Sequence, residues 1–243
     1  MRKLSASKGL VQDLVAASRI LAAHGVLDAY GHASARSDRR PERFVMSRSR
    51  APALVTAADL MELDAESEPL PGDKRKGFIE RYIHGEIYRA RPDVMAIVHS
   101  HSPSAIPFGI TRTKLRPVYH MASFLWSGAP VWDIRTVREE NDLLVRDRPL
   151  GQALAGALGR CNCVLMRGHG MTVAGESVPE AVFRAIYTEM NARLQLQAAQ
   201  LEGPIEFLSE EEGRRATAAN RGTLERPWEL WKTGAAATTR SKG

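Results

Sequence analysis

The sequence predicts one α/β domain, and three observations carry that expectation. Apolar residues recur at helical spacing in several stretches, short apolar runs of strand length lie between them, and no linker or internal repeat divides the 243 residues. A chain of this length with 44% hydrophobic residues can enclose one substantial core. The first helix is expected over residues 10–23, where Leu10, Leu14, Ala17 and Leu21 form a stripe and Gly25 offers a stop. Residues 29–50 are rich in turn formers and arginines, with one short strand at 44–46. A capped turn of helix is expected at 56–60, then an acidic strand and turn over 63–73. Phe78, Tyr82, Ile83 and Ile87 give 78–90 a helical period, which Arg91-Pro92-Asp93 ends. Residues 94–98 read as a buried strand running into His99-Ser100-His101, and 104–108 as the start of a short helix. An Ala/Leu helix is expected over 150–158, ending at Gly159. Two strands at 164–166 and 171–173 flank Arg167-Gly168-His169-Gly170, and the longest helix is expected over 178–201. The polar C-terminal stretch carries Trp228 and Trp231, with a tail from Gly234 expected to be disordered.

Several functional classes are excluded by composition. No apolar run reaches the roughly 18–20 residues of a spanning helix, and the basic start MRKLSASKGL has no apolar stretch behind it. Membrane insertion and secretion are therefore not expected, and a cytoplasmic location is. Cys161 and Cys163 are too close to staple the chain and too few for a cysteine-only zinc site. The net charge of +6 is scattered, without an aromatic-interleaved basic patch. It favours a small anionic substrate and no nucleic-acid partner.

Among the seven histidines, three stand where metal chemistry wants them. His99 and His101 are two apart at a strand end, so their side chains fall on one face. His169 sits in a glycine-flanked turn. Three neutral imidazoles with an open fourth position make a Lewis-acid site. Glu80 lies amid Phe78, Ile79, Tyr82 and Ile83, where a carboxylate's charged form is disfavoured unless paired, as in a general acid/base near neutral pH. Spacing alone leaves two plainer alternatives open. His99-x-His101 and His169 can simply end a strand and cap a turn, and Glu80 can be a solvated partner of His84 four residues on.

The ordered set Glu80-x-x-x-His84, the run from Ile87 to Val94, His99-x-His101 and Met166-Arg167-Gly168-His169-Gly170 resembles the class II aldolase/adducin family over residues 8–205. The resemblance implies a three-layer α/β/α class II aldolase-like fold with a central, mainly antiparallel sheet. It implies a catalytic domain over 1–205 followed by an extension over 206–243. It also implies one divalent metal ion per subunit, with zinc favoured by the three imidazoles and manganese, iron or cobalt compatible. A homotetramer with sites between subunits goes with it. On this resemblance His99, His101 and His169 match the metal ligands and Glu80 the catalytic acid/base. The intact set argues for an enzyme rather than an adducin-like scaffold.

The sugar-phosphate members of that family hold their phosphate with a Gly-Asn-x-Ser turn, a Ser/Thr-Gly turn and two serines before the catalytic glutamate. Here the first is Gly31-His32-Ala33-Ser34, the second is replaced by Met46-Ser47-Arg48-Ser49-Arg50, and Phe78-Ile79 precede Glu80. An apolar pair donates no hydrogen bond to a phosphate dianion, so a phosphorylated substrate is not expected. His32, Ser34, Ser47, Arg48, Ser49 and Arg50, with Tyr119 further on, are expected to bind substrate instead; guanidinium groups match carboxylates bidentately. His120 is a second candidate proton donor beside Glu80. The combination is similar to the branch that decarboxylates hydroxylated aromatic or pyridine dicarboxylates. The expected activity is a metal-dependent carbon–carbon lyase acting on such an acid. The alternative is an aldolase cleaving a small hydroxy-oxo acid.

Overall fold

A computed structural model describes residues 4–240 of the protein. In chain order it contains α1 (Lys8–Ala23), β1 (His32–Arg36), β2 (Phe44–Ser47), β3 (Leu60–Leu63), α2 (Arg81–Ala90), β4 (Ala96–Ser100) and α3 (Ile106–Ile110). These are followed by β5 (Val131–Trp132), α4 (Arg148–Leu158), β6 (Cys163–Met166), β7 (Gly170–Gly175), α5 (Val178–Ala198), α6 (Glu210–Arg221) and α7 (Glu225–Arg240). The seven strands form one sheet in the order β3-β2-β1-β4-β7-β6-β5. Every neighbouring pair is antiparallel except β5 with β6.

Period-two alternation along the strands divides the interior into two cores. Ala33, Ala35, Val45, Val98 and Val173 face one side, where Leu14, Leu21, Ala181 and Ala185 of α1 and α5 cover them. Phe44, Met46, Ile97, Val164 and Met166 face the other side, under Ile83, Ile87, Leu150 and Leu154 of α2 and α4. The sheet is thus a middle layer between two helical layers, as the resemblance implies.

Local signals set the ends of most elements. Ser7, Asp147 and Ser177 accept backbone N–H groups at the N-termini of α1, α4 and α5. Thr56 and Asp59 form a capping box around a 3-10 turn, Ala57–Asp59. Two differences from the sequence reading matter for the site. The strand expected at 94–98 is displaced to Ala96–Ser100, because Val94 belongs to the turn after α2 and its carbonyl accepts a hydrogen bond from Arg36. His99 therefore lies within β4 rather than beyond it. The helix expected at 78–90 begins at Arg81, with Glu80 in the N-cap position, so Glu80 is not on a helix face.

The C-terminal stretch is more ordered than its polarity implies. Ser209 and Glu212 form a capping box that starts α6. Trp228 of α7 is 5% exposed in the core beneath α1, and Trp231 meets His24 and Tyr187 edge-on or tilted. Both tryptophans pack on their own domain. Residues 234–240, expected to be disordered, continue α7, in keeping with the high helix propensity of alanine. Residues 241–243 of that tail lie outside the described residues.

Candidate metal centre and adjoining cleft

The same alternation that builds the cores delivers the histidines. Ile97 points to the α2/α4 side, so His99 does too, and its neighbours across the sheet are His32 on β1 and Thr172 on β7. His101 follows β4 by one residue, and His169 closes the turn between β6 and β7. That turn needs both of its glycines, for different reasons. Gly168 has φ +66°. A side chain on Gly170 would start 2.1 Å from the Ser100 carbonyl oxygen, because β7 leaves the turn pressed against β4. Gly170→Ala is expected to cost about 1–3 kcal/mol by overpacking, read as a lower midpoint in thermal unfolding.

The ligand atoms of Glu80, His99, His101 and His169 all lie within 4.8 Å of one another. His101 Nε2 and His169 Nε2 are 3.2 Å apart, and Glu80 Oε2 is 3.5 Å from both His99 Nε2 and His169 Nε2. Ligands about 2.0–2.1 Å from a tetrahedral cation sit about 3.3–3.4 Å from each other, so this spacing fits one ion. The far nitrogens are already engaged. His169 Nδ1 donates to the Leu143 carbonyl (2.8 Å) and His101 Nδ1 to Asp28 Oδ2 (3.0 Å). His99 Nδ1 lies 3.2 Å from Thr172 Oγ1, whose own hydroxyl donates to Met166 Sδ. Each partner selects the Nδ1–H tautomer and leaves a bare Nε2 facing the centre. His99 Nε2 is buried with no hydrogen-bond partner among the described residues. An orphaned buried acceptor beside two more bare nitrogens is what a metal ligand set provides. Asp28→Ala is expected to weaken divalent-metal binding about 10–100-fold while leaving the circular dichroism unchanged, as measured by competition with a chromophoric chelator.

Electrostatics correct one expectation. Burial pushes the Glu80 carboxyl upward, but the neighbouring imidazoles of His169 and His99 and the Val145 N–H outweigh it, and the pKa falls to about 2. Glu80 is paired, and so ionised, rather than held neutral by its apolar neighbours. Burial first, and then the neighbouring His169, His32 and His101, drive His99 well below the usual range against the pull of Glu80, whereas Glu80 raises His169 against the pull of burial. Nor does Glu80 pair with His84, which is fully buried and bonded to His32 and Ser34.

The loop before α4 was not legible as part of the site. Leu143 supplies the carbonyl that holds His169, and Val145 the N–H that holds Glu80 Oε1 at 3.0 Å. Leu143 has φ 67°, an uncommon conformation for a bulky residue, stabilised locally by the bond from its N–H to Asn141 Oδ1. Backbone groups leave no trace in side-chain patterns, so no sequence signal marked this loop. Asp28 was missed for a similar reason: it stands in a turn far from its histidine along the chain.

A cleft of about 430 Å3 opens beside the centre, large enough for a small aromatic acid. It is lined by His32, Ser49, Arg50, Glu80 and His101 of the expected residues, and by Tyr30, Lys76, Phe78, Ile79 and Leu144. Arg50 is tied by Nε to the Leu54 carbonyl (2.8 Å) and to Asp59 (3.3 Å). The remaining expected residues lie elsewhere. Ser34 is buried, its hydroxyl bonded to His84 and Tyr88. Ser47 pairs with Leu60 on the α1/α5 side of the sheet, the face away from the centre. Arg48 is drawn to Asp59 at 2.8 Å instead of into the cleft. Tyr119 packs near Tyr187 of α5, its hydroxyl buried without a hydrogen-bond partner among the described residues. His120 is exposed at the start of the 3-10 segment His120–Ser127. Neither of these two lines the cleft of its own chain.

Known proteins resemble this chain in sequence and in fold. Residues 12–196 match the family model for the class II aldolase and adducin N-terminal domain. The chain is 39% identical to the decarboxylase tropJ of Talaromyces stipitatus, covering 91% of this chain and 92% of that one. It is 33% identical to a 3,4-dihydroxyphthalate decarboxylase of Terrabacter sp., covering 82% and 84%. In fold it superimposes on an aldolase II superfamily protein from Pseudomonas syringae with a TM-score of 0.80 at 22% identity, covering 98% and 96% of the two chains.

Proposed function

This chain belongs to the class II aldolase and adducin family, and from that membership we propose that it is a divalent-metal-dependent decarboxylase of a non-phosphorylated hydroxylated aromatic or heteroaromatic carboxylate. The observation that carries the reading is the cleft beside a convergent imidazole set: an ionised glutamate and His101 of that set line it, together with cationic and apolar groups. The decarboxylases named above, similar over most of the chain, support the carboxy-lyase over the aldehyde-lyase.

The imidazoles of His99, His101 and His169 would hold the metal, with Glu80 close enough to join them. Bound there, a divalent cation supplies Lewis-acid stabilisation for negative charge developing on a substrate oxygen. Zinc is the ion we favour, with manganese, iron and cobalt compatible with the ligands. Tyr30, Phe78, Ile79 and Leu144 offer apolar surface for a planar ring. Arg50 and Lys76 offer positive charge to a carboxylate, and Arg50 is held by Nε so that its outer nitrogens stay available for a two-point contact. Phe78 and Ile79 donate nothing to a phosphate, which disfavours a sugar-phosphate substrate.

Glu80 carries the proton. As a carboxylate it accepts the hydrogen of the substrate hydroxyl, and it then returns that proton to the ring carbon from which carbon dioxide leaves. Atoms and charge balance: the carboxylate group departs as carbon dioxide, and its bonding electrons form the new C–H bond with the returned proton. In a homotetramer with sites between subunits, Tyr119 and His120 would serve a neighbour's cleft, which leaves His120 as a second proton donor.

Two assays separate the readings. Metal-loaded protein is expected to release carbon dioxide from hydroxylated phthalates or pyridine dicarboxylates. Release of an aldehyde or pyruvate from hydroxy-oxo acids, without carbon dioxide, would instead support the aldolase.

A further inference from the structure

Behind the cleft runs a buried polar chain that the reaction described above leaves unused. His32 Nδ1 lies 2.7 Å from His84 Nε2, His84 Nδ1 lies 2.6 Å from Ser34 Oγ, and Ser34 Oγ lies 2.7 Å from Tyr88 Oη. His32, Ser34, His84 and Tyr88 are all 5% exposed or less. His32 is the one member of the chain that lines the cleft, with its ring against Phe78 and His99.

One hydrogen fits in each contact, so the hydrogens run in one of two directions. Running inward, His32 Nδ1–H donates to His84, His84 Nδ1–H to Ser34 and Ser34 O–H to Tyr88. The Tyr88 hydrogen is then left over. Ser34 is the only hydrogen-bond partner of Tyr88 Oη among the described residues, so a buried donor would go unmet. Running outward, Tyr88 O–H donates to Ser34, Ser34 O–H to His84 Nδ1 and His84 Nε2–H to His32 Nδ1. Every hydrogen then has an acceptor, and only a tyrosine lone pair is unused. Arg36 steadies the inner end: its guanidinium lies 4.9 Å over the Tyr88 ring and its Nη2 donates to the Tyr88 carbonyl. A cation there strengthens the phenol as a donor.

We propose that Tyr88, Ser34 and His84 are positioning residues that lock His32 in its Nε2–H tautomer, so that His32 offers the cleft a hydrogen-bond donor rather than an acceptor. The three metal-facing histidines are set the opposite way, with Nδ1–H and bare Nε2, so two tautomer classes stand side by side. A donor at His32 suits a carboxylate or phenolate oxygen. The inference depends on the decarboxylase reading only for the identity of that oxygen, because the tautomer follows from the chain alone.

The test is nitrogen-15 spectroscopy of histidine-labelled, zinc-loaded protein without substrate, with the His32 signals assigned by their loss in His32→Gln. A protonated Nε2 and a bare Nδ1 at His32 are expected, with the donor form in excess by about tenfold or more. Protonation of His32 at Nδ1 overturns the proposal. In Tyr88→Phe the inward direction would leave the Ser34 hydrogen unmet, so the Nε2–H tautomer is expected to persist, whereas His84→Phe removes the donor to His32 Nδ1 and His32 is then expected to populate both tautomers. A single unchanged tautomer in a folded His84→Phe protein overturns the positioning role of the chain, as does a switch to Nδ1–H in a folded Tyr88→Phe protein. No turnover enters either measurement, so failure here and failure of the decarboxylase assay are read separately.

Discussion

His101→Ala is expected to abolish metal retention and to lower carbon dioxide release by about 1,000-fold or more, because it removes the cation that stabilises developing charge. This histidine makes the cleanest test of the centre. Its side chain is 26% exposed and it stands just past the end of β4, so its loss leaves both cores intact. His99 is fully buried in the sheet, and replacing it would confound metal loss with a cavity. The measurement is elemental analysis after dialysis, beside the rate of carbon dioxide release. Wild-type turnover in a sample stripped of metal would defeat the reading, as would full metal content in the His101→Ala protein.

Glu80→Gln is expected to separate chemistry from metal binding. The amide has the shape of the carboxylate, and its oxygen still accepts the Val145 N–H that positions Glu80 at 3.0 Å. Three imidazoles remain to hold the ion, so the metal content is expected to stay close to one per subunit. An amide neither takes up nor returns a proton, and kcat is expected to fall about 100- to 10,000-fold with little change in KM. If kcat is retained, the proton comes from elsewhere and His120 becomes the residue to replace. Loss of the metal in Glu80→Gln would make Glu80 a structural ligand before anything else.

The readable parts of this protein are those written in local pattern. The helical periods around Leu14, Ile83, Leu154 and Ala185 each correspond to a helix that covers the sheet, and the apolar runs at 164–166 and 171–173 to strands β6 and β7. What pattern missed was short or weakly apolar. Strand β1 is His-Ala-Ser-Ala-Arg, with two alanines as its only core contribution, and it reads as a loop until β2 and β4 pair with it. Helices α6 and α7 are polar on their outer faces and are docked by tertiary packing, Gly213 against Trp126 and Trp228 in the core.

The candidate site divides along the same line. Residue type and order made His99, His101, His169 and Glu80 candidates, because metal ligands and acid/base groups come from a small chemical alphabet, but only the family resemblance assigned them their roles. Whether Glu80 is paired, and so ionised, was left open by its apolar neighbours, since its partners lie on other strands and loops. Ser34, Ser47 and Arg48 look like substrate groups in a motif, yet burial, strand parity and Asp59 take them out of the cleft. Which nitrogen of each imidazole is bare depends on Asp28, Leu143, Thr172 and His84, each brought to its histidine from at least 26 residues away along the chain. Composition and spacing reach as far as the kinds of groups present and the helices and strands that bear them. Ionisation, tautomer and accessibility arise from through-space fields and close contacts, and those exist only once the chain has folded back on itself.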